Sequence, residues 1–140
     1  MPSCRWESIP EKYRPLSDRL NIVLSRNART HGGDATGVLY AQSLEDALSL
    51  LGSSEYVEKV ESGFVIGGGQ IYKEALSSSL CRAVHLTEVN GDFACDTFLP
   101  KINTEVFKLW GASRLQRDTK SAVTYRFTTY VRKPGKTLSI

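Results

Sequence analysis

The fold is decided by residues 64–76, which read FVIGGGQIYKEAL. Three branched or aromatic apolar residues precede three glycines and a stretch with helical character, which predicts a buried strand, a tight turn and a helix. Glycine permits such a turn because it has no side chain, and the free N–H groups of the first helical turn then form a site that suits a diphosphate. Tyr72 occupies the sixth position counted from Gly67, so the spacing is not that of the GxGxxG dinucleotide fingerprint. A tight turn without a ligand is therefore the alternative interpretation.

A second candidate for a phosphate site follows the apolar run RLNIVL of residues 19–24. This run predicts another buried strand, and Ser25 and Arg26 come directly after it. In open α/β sheets ligands gather beyond the carboxyl ends of the strands, where a hydroxyl and a guanidinium suit a phosphate monoester. The alternative is an ordinary solvated loop arginine.

The other elements follow from hydrophobic periodicity and turn residues. Ser43 precedes two carboxylates and an apolar helical face, which predicts an N-cap and a helix that ends at Gly52. The strand at 123–131 alternates, and the pattern assigns Tyr125 and Phe127 to the core face and the charged residues to water. The remaining predicted elements are one or two helical turns at 6–9, a turn-rich connection at 10–18, an exposed loop at 27–37, a stretch with helical character at 55–61, and strands at 38–41, 83–89 and 106–111.

Length and composition indicate one globular domain and exclude several other classes of protein. The 140 residues predict a single domain over 1–140, and 41% apolar with 24% charged residues exclude a disordered chain. A net charge of +3 is too small to indicate nucleic acid, although a small basic RNA-binding α/β domain is kept as an alternative from an unrelated class. No apolar run reaches membrane-spanning length. Three cysteines with no pair at metal-ligand spacing predict no metal site and a cytoplasmic location.

Three segments taken together resemble the dihydrofolate reductases of eukaryotes. They are residues 6–16 with WESIP and RPL, residues 19–26 with RLNIVLSR, and residues 65–72 with VIGGGQIY. The later segments LTEV at 86–89 and DFACDTFLP at 92–100 also match in order and spacing. The resemblance covers nearly the whole chain and implies a three-layer α/β fold with a mixed, mostly parallel central sheet and an antiparallel C-terminal strand.

The resemblance also implies a chemistry, which is hydride transfer from NADPH to dihydrofolate by a monomer that binds neither nucleic acid nor membrane. Arg19 resembles the residue that holds the glutamate carboxylate of the substrate, a bidentate role that lysine does not reproduce. Thr87 resembles the hydroxyl that steadies the catalytic carboxylate. The residues similar to the family's cofactor site are Arg5, Leu24, Ser25, Arg26, Gly67, Gly68, Gly69, Gln70 and Ile71, and those similar to its substrate site are Ile9, Pro10, Leu16, Arg19, Ile66 and Tyr72.

The chain departs from the family pattern at its N-terminal end. Residues 2–5, PSCR, stand where the family has a basic turn that grips the cofactor phosphates, so only Arg5, one position late, matches that role. In the family layout the first strand and the helix with the catalytic carboxylate precede this point, so we expect an N-terminally truncated fold without a matching carboxylate. The alternative to an active enzyme is a catalytically inactive truncated homologue that retains at most partial NADP binding or needs a complementing chain.

Overall fold

The computed structural model describes residues 4–27, 32–33 and 36–135. The chain divides into two compact units, Met1–Glu74 and Ala75–Ile140. The described part contains both β-sheets and helices, which agrees with the predicted α/β class. The first unit contains helix α1 (Cys4–Ser8), a 3-10 helix (Glu11–Tyr13), strands β1 (Asn21–Leu24), β2 (Gly32–Gly33) and β3 (Val38–Ala41), and helix α2 (Leu44–Leu51).

The sheet of the first unit has the order β1-β3-β2. The two predicted strands are present, and β1 and β3 pair in parallel, with Asn21 opposite Val38 and Leu24 opposite Ala41. The pair Gly32–Gly33 was expected in a loop but pairs antiparallel with β3, and residues 28–31 and 34–35 of that loop lie outside the described residues. The parallel pair supplies the core of this unit, whose buried apolar side chains are Val23, Val38, Leu39, Ala41 and Ala47.

Helix α2 begins as predicted. The Ser43 hydroxyl accepts a hydrogen bond from the Asp46 N–H at 3.0 Å, and the Asp46 carboxylate accepts one from the Gln42 N–H at 2.9 Å. These reciprocal bonds satisfy N–H groups that a helix start leaves unpaired. Gly52 ends the helix, and α2 packs against β1 and β3 through the face that carries Ala47. Within the segment 55–61, residues 55–59 form turns and no regular helix is present.

The prediction of a buried strand at residues 64–66 is wrong, because the structure has no strand there. These residues have no strand partner, and Phe64, Val65 and Ile66 are 76%, 39% and 48% exposed. The apolar run satisfies the sequence rule for a buried strand, but a strand needs a neighbour that accepts and donates its backbone hydrogen bonds. No element of the described residues supplies that neighbour. The glycine turn and the helix after it are present, since helix α3 spans Gly69–Ser77, which begins in the first unit and ends in the second.

The second unit is an antiparallel sheet. Its central strand β7 (Thr124–Arg132) pairs with β4 (Ala83–Val89), β5 (Phe107–Ala112) and the short β6 (Gln116–Arg117). An irregularity in the register lies between Leu109 and Gly111. The antiparallel C-terminal strand is thus confirmed, while β1 and β3 form the parallel pair of the described chain.

The predicted core face of β7 is wrong. Phe127, which the alternation assigned to the core, is 49% exposed, whereas Thr128 on the opposite face is 3% exposed. Thr128 satisfies its hydroxyl by donating to the Leu86 carbonyl at 3.3 Å, so a polar side chain is buried there at little cost. Periodicity identifies two faces of a strand, but packing decides which one is covered.

Candidate functional site

The glycine turn brings three predicted site residues together. Gly67 has a φ of +114°, a region that side-chain-bearing residues rarely adopt. A Cβ placed on Gly67 would lie 3.5 Å from the Tyr72 ring and hydroxyl and 3.6 Å from Cγ of Arg5. The stem of Arg5 therefore lies against this turn, although Arg5 is about sixty residues away in sequence. Arg5 is an exposed residue, and its side-chain stem is the part that the structure places beside the turn.

Helix α3 continues from this turn and presents its N-terminus there. The Tyr72 N–H donates to the Gly68 carbonyl at 3.0 Å, so the N–H groups of the preceding residues have no partner within the helix. The first turn contains no acidic residue that would oppose an anion. A Cβ on Gly68 would meet nothing within 4 Å, which leaves the backbone open to close approach. Gly69 and Ile71 are half-buried, and Gln70 donates from its exposed side chain to Glu74 at 3.1 Å.

The second group of predicted cofactor residues lies at the end of β1. Leu24 is half-buried as the last residue of the strand, and the Ser25 N–H donates to the Ala41 carbonyl at 2.9 Å, which extends the pairing with β3. Arg26 follows on the surface and has no ion-pair partner within the described ranges. The backbone of this group is thus held by the sheet while the guanidinium points to water.

Arg19, predicted to hold a carboxylate, lies in a tight loop before β1. Its Nε donates to the Ser17 carbonyl at 2.8 Å, and its side chain is exposed. Asp18 has a φ of +57°, so the loop contains a left-handed residue that is not glycine. Leu16 is half-buried at the start of this loop.

The apolar residues expected to line the substrate pocket lie on α1 and beside the glycine turn. The Ile9 N–H donates to the Trp6 carbonyl at 3.2 Å, and Ile9 is half-buried where α1 ends. Pro10 is exposed and begins the 3-10 helix. Ile66 is 48% exposed immediately before Gly67. The peptide bond between Arg14 and Pro15 is cis, as is that between Gly67 and Gly68.

Thr87 belongs to the second unit, in the middle of β4. It lies opposite Phe127 of β7, and its side chain is exposed. The next residue, Glu88, faces the other side of the sheet and forms an ion pair with Arg126. No group of three or more histidine, cysteine, aspartate or glutamate residues in the described ranges is placed to hold a metal ion. No described helix is long and apolar enough to cross a membrane.

Sequence reasoning missed Asn21. Its side chain is buried and contacts the loop that carries Arg19. The signal that points to this residue is a carboxamide in the otherwise apolar run LNIVL, because a buried polar side chain needs hydrogen-bond partners.

Comparison with known proteins agrees with the resemblance stated from the motifs. The dihydrofolate reductase family model matches residues 1–132. The chain is 46% identical over 127 residues to a bifunctional dihydrofolate reductase-thymidylate synthase of Glycine max, covering 91% of this chain and 24% of that protein. It is 38% identical to a dihydrofolate reductase of Rattus norvegicus, covering 91% of this chain and 69% of the relative. The chain thus spans about a quarter of the length of the bifunctional relatives it matches.

A solved structure supports the fold. The dihydrofolate reductase of Schistosoma mansoni superposes with a TM-score of 0.73 at 33% identity, over 92% of this chain and 70% of that chain. This match confirms the predicted dihydrofolate-reductase-like fold. With the family model matching nearly the whole chain, this protein belongs to the dihydrofolate reductase family.

Proposed function

We propose that this chain catalyses the NADPH-dependent reduction of 7,8-dihydrofolate to 5,6,7,8-tetrahydrofolate, a step of one-carbon metabolism. The match of the family model over residues 1–132 is the observation that carries the proposal. The relatives of Heliothis virescens and Rattus norvegicus are dihydrofolate reductases by name, which favours an enzyme over the catalytically inactive homologue. The thymidylate synthase activity in the names of the bifunctional relatives is not carried over to this chain.

The residues around the glycine turn fit the diphosphate of NADPH. Gly67 leaves a space beside Tyr72 and Arg5 that a side chain would enter, and Gly68 has open space where a side chain would stand. The unpaired N–H groups at the start of α3 donate toward an anion there, and the Arg5 guanidinium neutralises part of its charge. Bound NADPH supplies the hydride, while the protein orients the ring that releases it.

The adenosine end of the cofactor is assigned to the end of β1. Arg26 and the Ser25 hydroxyl hold the 2′-phosphate, and Leu24 provides an apolar contact next to them. An arginine suits this role because its fork of donors makes parallel hydrogen bonds to phosphate oxygens. Gln70 and Ile71 are assigned to the nicotinamide side, one turn into α3.

The substrate is assigned to the loops that precede β1. The Arg19 guanidinium holds the glutamate carboxylate, and Ile9, Pro10 and Leu16 contact the aminobenzoyl ring. Ile66 and Tyr72 lie next to the glycine turn and are assigned to the pterin and nicotinamide rings. Thr87 is proposed as a hydroxyl that steadies a carboxylate, and no residue of this sequence is assigned as the donor of the proton to N5.

The free thiols of Cys81 and Cys95 fit a reducing compartment, so we place the protein in the cytoplasm. We expect it to act as a monomer.

The proposal is tested with the purified chain in two measurements. The first is NADPH binding, followed by calorimetry, and the second is the loss of NADPH absorbance that depends on added dihydrofolate. We expect NADPH binding and saturable oxidation, with the KM for dihydrofolate raised in Arg19→Ala and unchanged in the surface control Arg114→Ala. Binding of NADPH without dihydrofolate-dependent oxidation contradicts the enzyme and supports the inactive homologue. Absence of both rejects the assignment of these sites.

A further inference from the structure

The Asn21 side chain closes the loop that leads into β1. Its Oδ1 accepts a hydrogen bond from the Leu16 N–H at 2.9 Å, and its Nδ2 donates to the Leu16 carbonyl at 2.9 Å and to the Arg19 carbonyl at 3.0 Å. The carboxamide therefore pairs with both backbone groups of Leu16, as a neighbouring strand would. Asn21 is 8% exposed, so these bonds lie where water does not replace them.

These three bonds hold both ends of the segment 16–19. Between the ends, Asp18 has a φ of +57°, a left-handed conformation that residues with a side chain adopt less readily than glycine. A loop that contains such a residue keeps its shape only where other contacts impose it. The bonds from Asn21 to Leu16 and Arg19 are contacts of this kind, because they join the two ends of the segment.

The shape of this segment determines where the Arg19 guanidinium points. Arg19 Nε donates to the Ser17 carbonyl at 2.8 Å, and Ser17 lies inside the segment that Asn21 closes. With Nε engaged in this way, the two terminal nitrogens of Arg19 are left to donate in parallel to a carboxylate. Among the described residues the ion pairs are Arg14 with Glu11 and Arg126 with Glu88, so Arg19 forms none.

We propose that Asn21 is a positioning residue for recognition of a carboxylate ligand, acting through the backbone of the loop on the orientation of Arg19. This inference rests on the proposed function, because it takes the glutamate carboxylate of dihydrofolate as the ligand. It adds a buried residue that selects for carboxylated substrates without touching them.

Aspartate is the informative substitution at this position because it has the same shape as asparagine. In the variant Asn21→Asp, one oxygen of the introduced carboxylate still accepts from the Leu16 N–H, but the other faces the carbonyls of Leu16 and Arg19 with no proton to donate. Repulsion between these acceptors opens the loop at its Arg19 end while the strand β1 keeps its packing.

The test compares two ligands that differ in the carboxylate, using the full chain with NADPH present. Dihydrofolate carries the glutamate, and a 6-methyl dihydropterin does not. We expect Asn21→Asp to weaken the affinity for dihydrofolate by about tenfold, to leave that for the dihydropterin within a factor of about two, and to change KM far more than kcat. The double variant Asn21→Asp with Arg19→Ala should bind dihydrofolate no more weakly than Arg19→Ala alone, since both changes remove the same contact.

An equal loss of affinity for both ligands, or additive losses in the double variant, means that Asn21 has only a structural role and overturns the proposal.

A measurement on the wild-type chain tests the same proposal if the variant does not fold. Saturating p-aminobenzoylglutamate should slow hydrogen exchange of the Leu16 amide, and p-aminobenzoate should not. No protection by the glutamate compound also overturns the proposal, whereas failure of the wild-type chain to bind dihydrofolate at all rejects the proposed function instead.

Discussion

The side-chain stem of Arg5 lies against Gly67, with Cγ of the arginine 3.6 Å from the point where a Cβ on the glycine would stand. This contact places the side-chain stem of an arginine from α1 beside the glycine turn that starts α3. The turn requires a φ of +114° at Gly67, and the proposed diphosphate site also requires enough space for the backbone to approach an anion. A side chain at this position conflicts with both.

Gly67→Ala should therefore lower both the free energy of unfolding and the affinity for NADPH. The neighbouring atoms lie at 3.5 Å or beyond, which is ordinary contact, so the expected loss comes from the backbone conformation and amounts to about 1–3 kcal/mol of stability. Urea unfolding with and without NADPH measures both effects. The control is Gly111→Ala in β5, where a Cβ meets nothing within 4 Å and no positive φ is required. Equal losses in the two variants would contradict the assignment.

Arg26→Ala should reduce the affinity for NADPH much more than that for NADH, which lacks the 2′-phosphate. Hydrogen bonds to charged groups contribute about 1.5–3 kcal/mol, which corresponds to a loss of roughly ten- to a hundredfold. Calorimetric titration of both nucleotides gives the ratio, and Arg114→Ala is the matched surface control. A similar loss for both nucleotides would show that Arg26 does not read the 2′-phosphate.

Ser43→Ala should lower the free energy of unfolding by about 0.5–2 kcal/mol, because the Asp46 N–H loses its acceptor at the start of α2. Ser49→Ala changes an exposed serine within the same helix and should be neutral or slightly stabilising, since alanine favours helix interiors. Urea midpoints of the two variants provide the comparison. A loss of the same size at both positions would argue against a capping role.

Two arginines of β7 should differ in their contribution to stability. Arg132 donates to the carbonyls of Ser78 at 2.7 Å and Cys81 at 2.8 Å, and its guanidinium lies 4.8 Å from the centre of the Phe107 ring. Arg126 forms a half-exposed ion pair with Glu88, of a kind that contributes less than about 1 kcal/mol.

Arg132→Met should consequently destabilise the chain by about 1.5–3 kcal/mol, because it removes two hydrogen bonds from a charged donor and leaves the Cys81 carbonyl without its side-chain partner, while the Ser78 carbonyl keeps the Cys81 N–H at 3.2 Å. Arg126→Met is the matched variant on the same strand and should lose less. Thermal unfolding of both variants in low and moderate salt tests this order, with salt affecting only the Arg126 contribution. The reverse order would mean that the exposed ion pair dominates.

The turn between β6 and β7 should respond to acid. Hydrogen bonds from the hydroxyl and N–H of Ser121 lower the pKa of Asp118 below its usual 3.8. A lowered pKa means that this carboxylate stabilises the folded chain above pH 3.8, and that its contribution disappears as the pH falls through the lower folded value. Unfolding of wild type and Asp118→Asn across acidic pH should converge at the acid end. Parallel curves for Asp118→Asn would contradict the role of this carboxylate.

Features that depend on neighbouring residues were predicted well from the sequence. The cap at Ser43, the end of α2 at Gly52 and the glycine turn before α3 all rest on local sterics and on hydrogen bonds between residues a few positions apart. The apolar runs also predicted the strands β1 and β3, whereas their parallel pairing with each other was seen only in the structure. The predicted site residues also come from segments whose motifs are contiguous in sequence, and their roles stay predictions.

Burial and long-range contacts were decided only in the folded chain. Phe64 has the character of a core residue yet is 76% exposed, and Thr128 is buried in place of Phe127, because coverage of a face depends on distant segments. The contact of Arg5 with Gly67 joins residues from opposite ends of the first unit, and no local pattern encodes it. Asn21 is distinguished by its three hydrogen bonds to a loop, and these exist only once backbone groups of residues 16 and 19 converge on a buried carboxamide that must be satisfied.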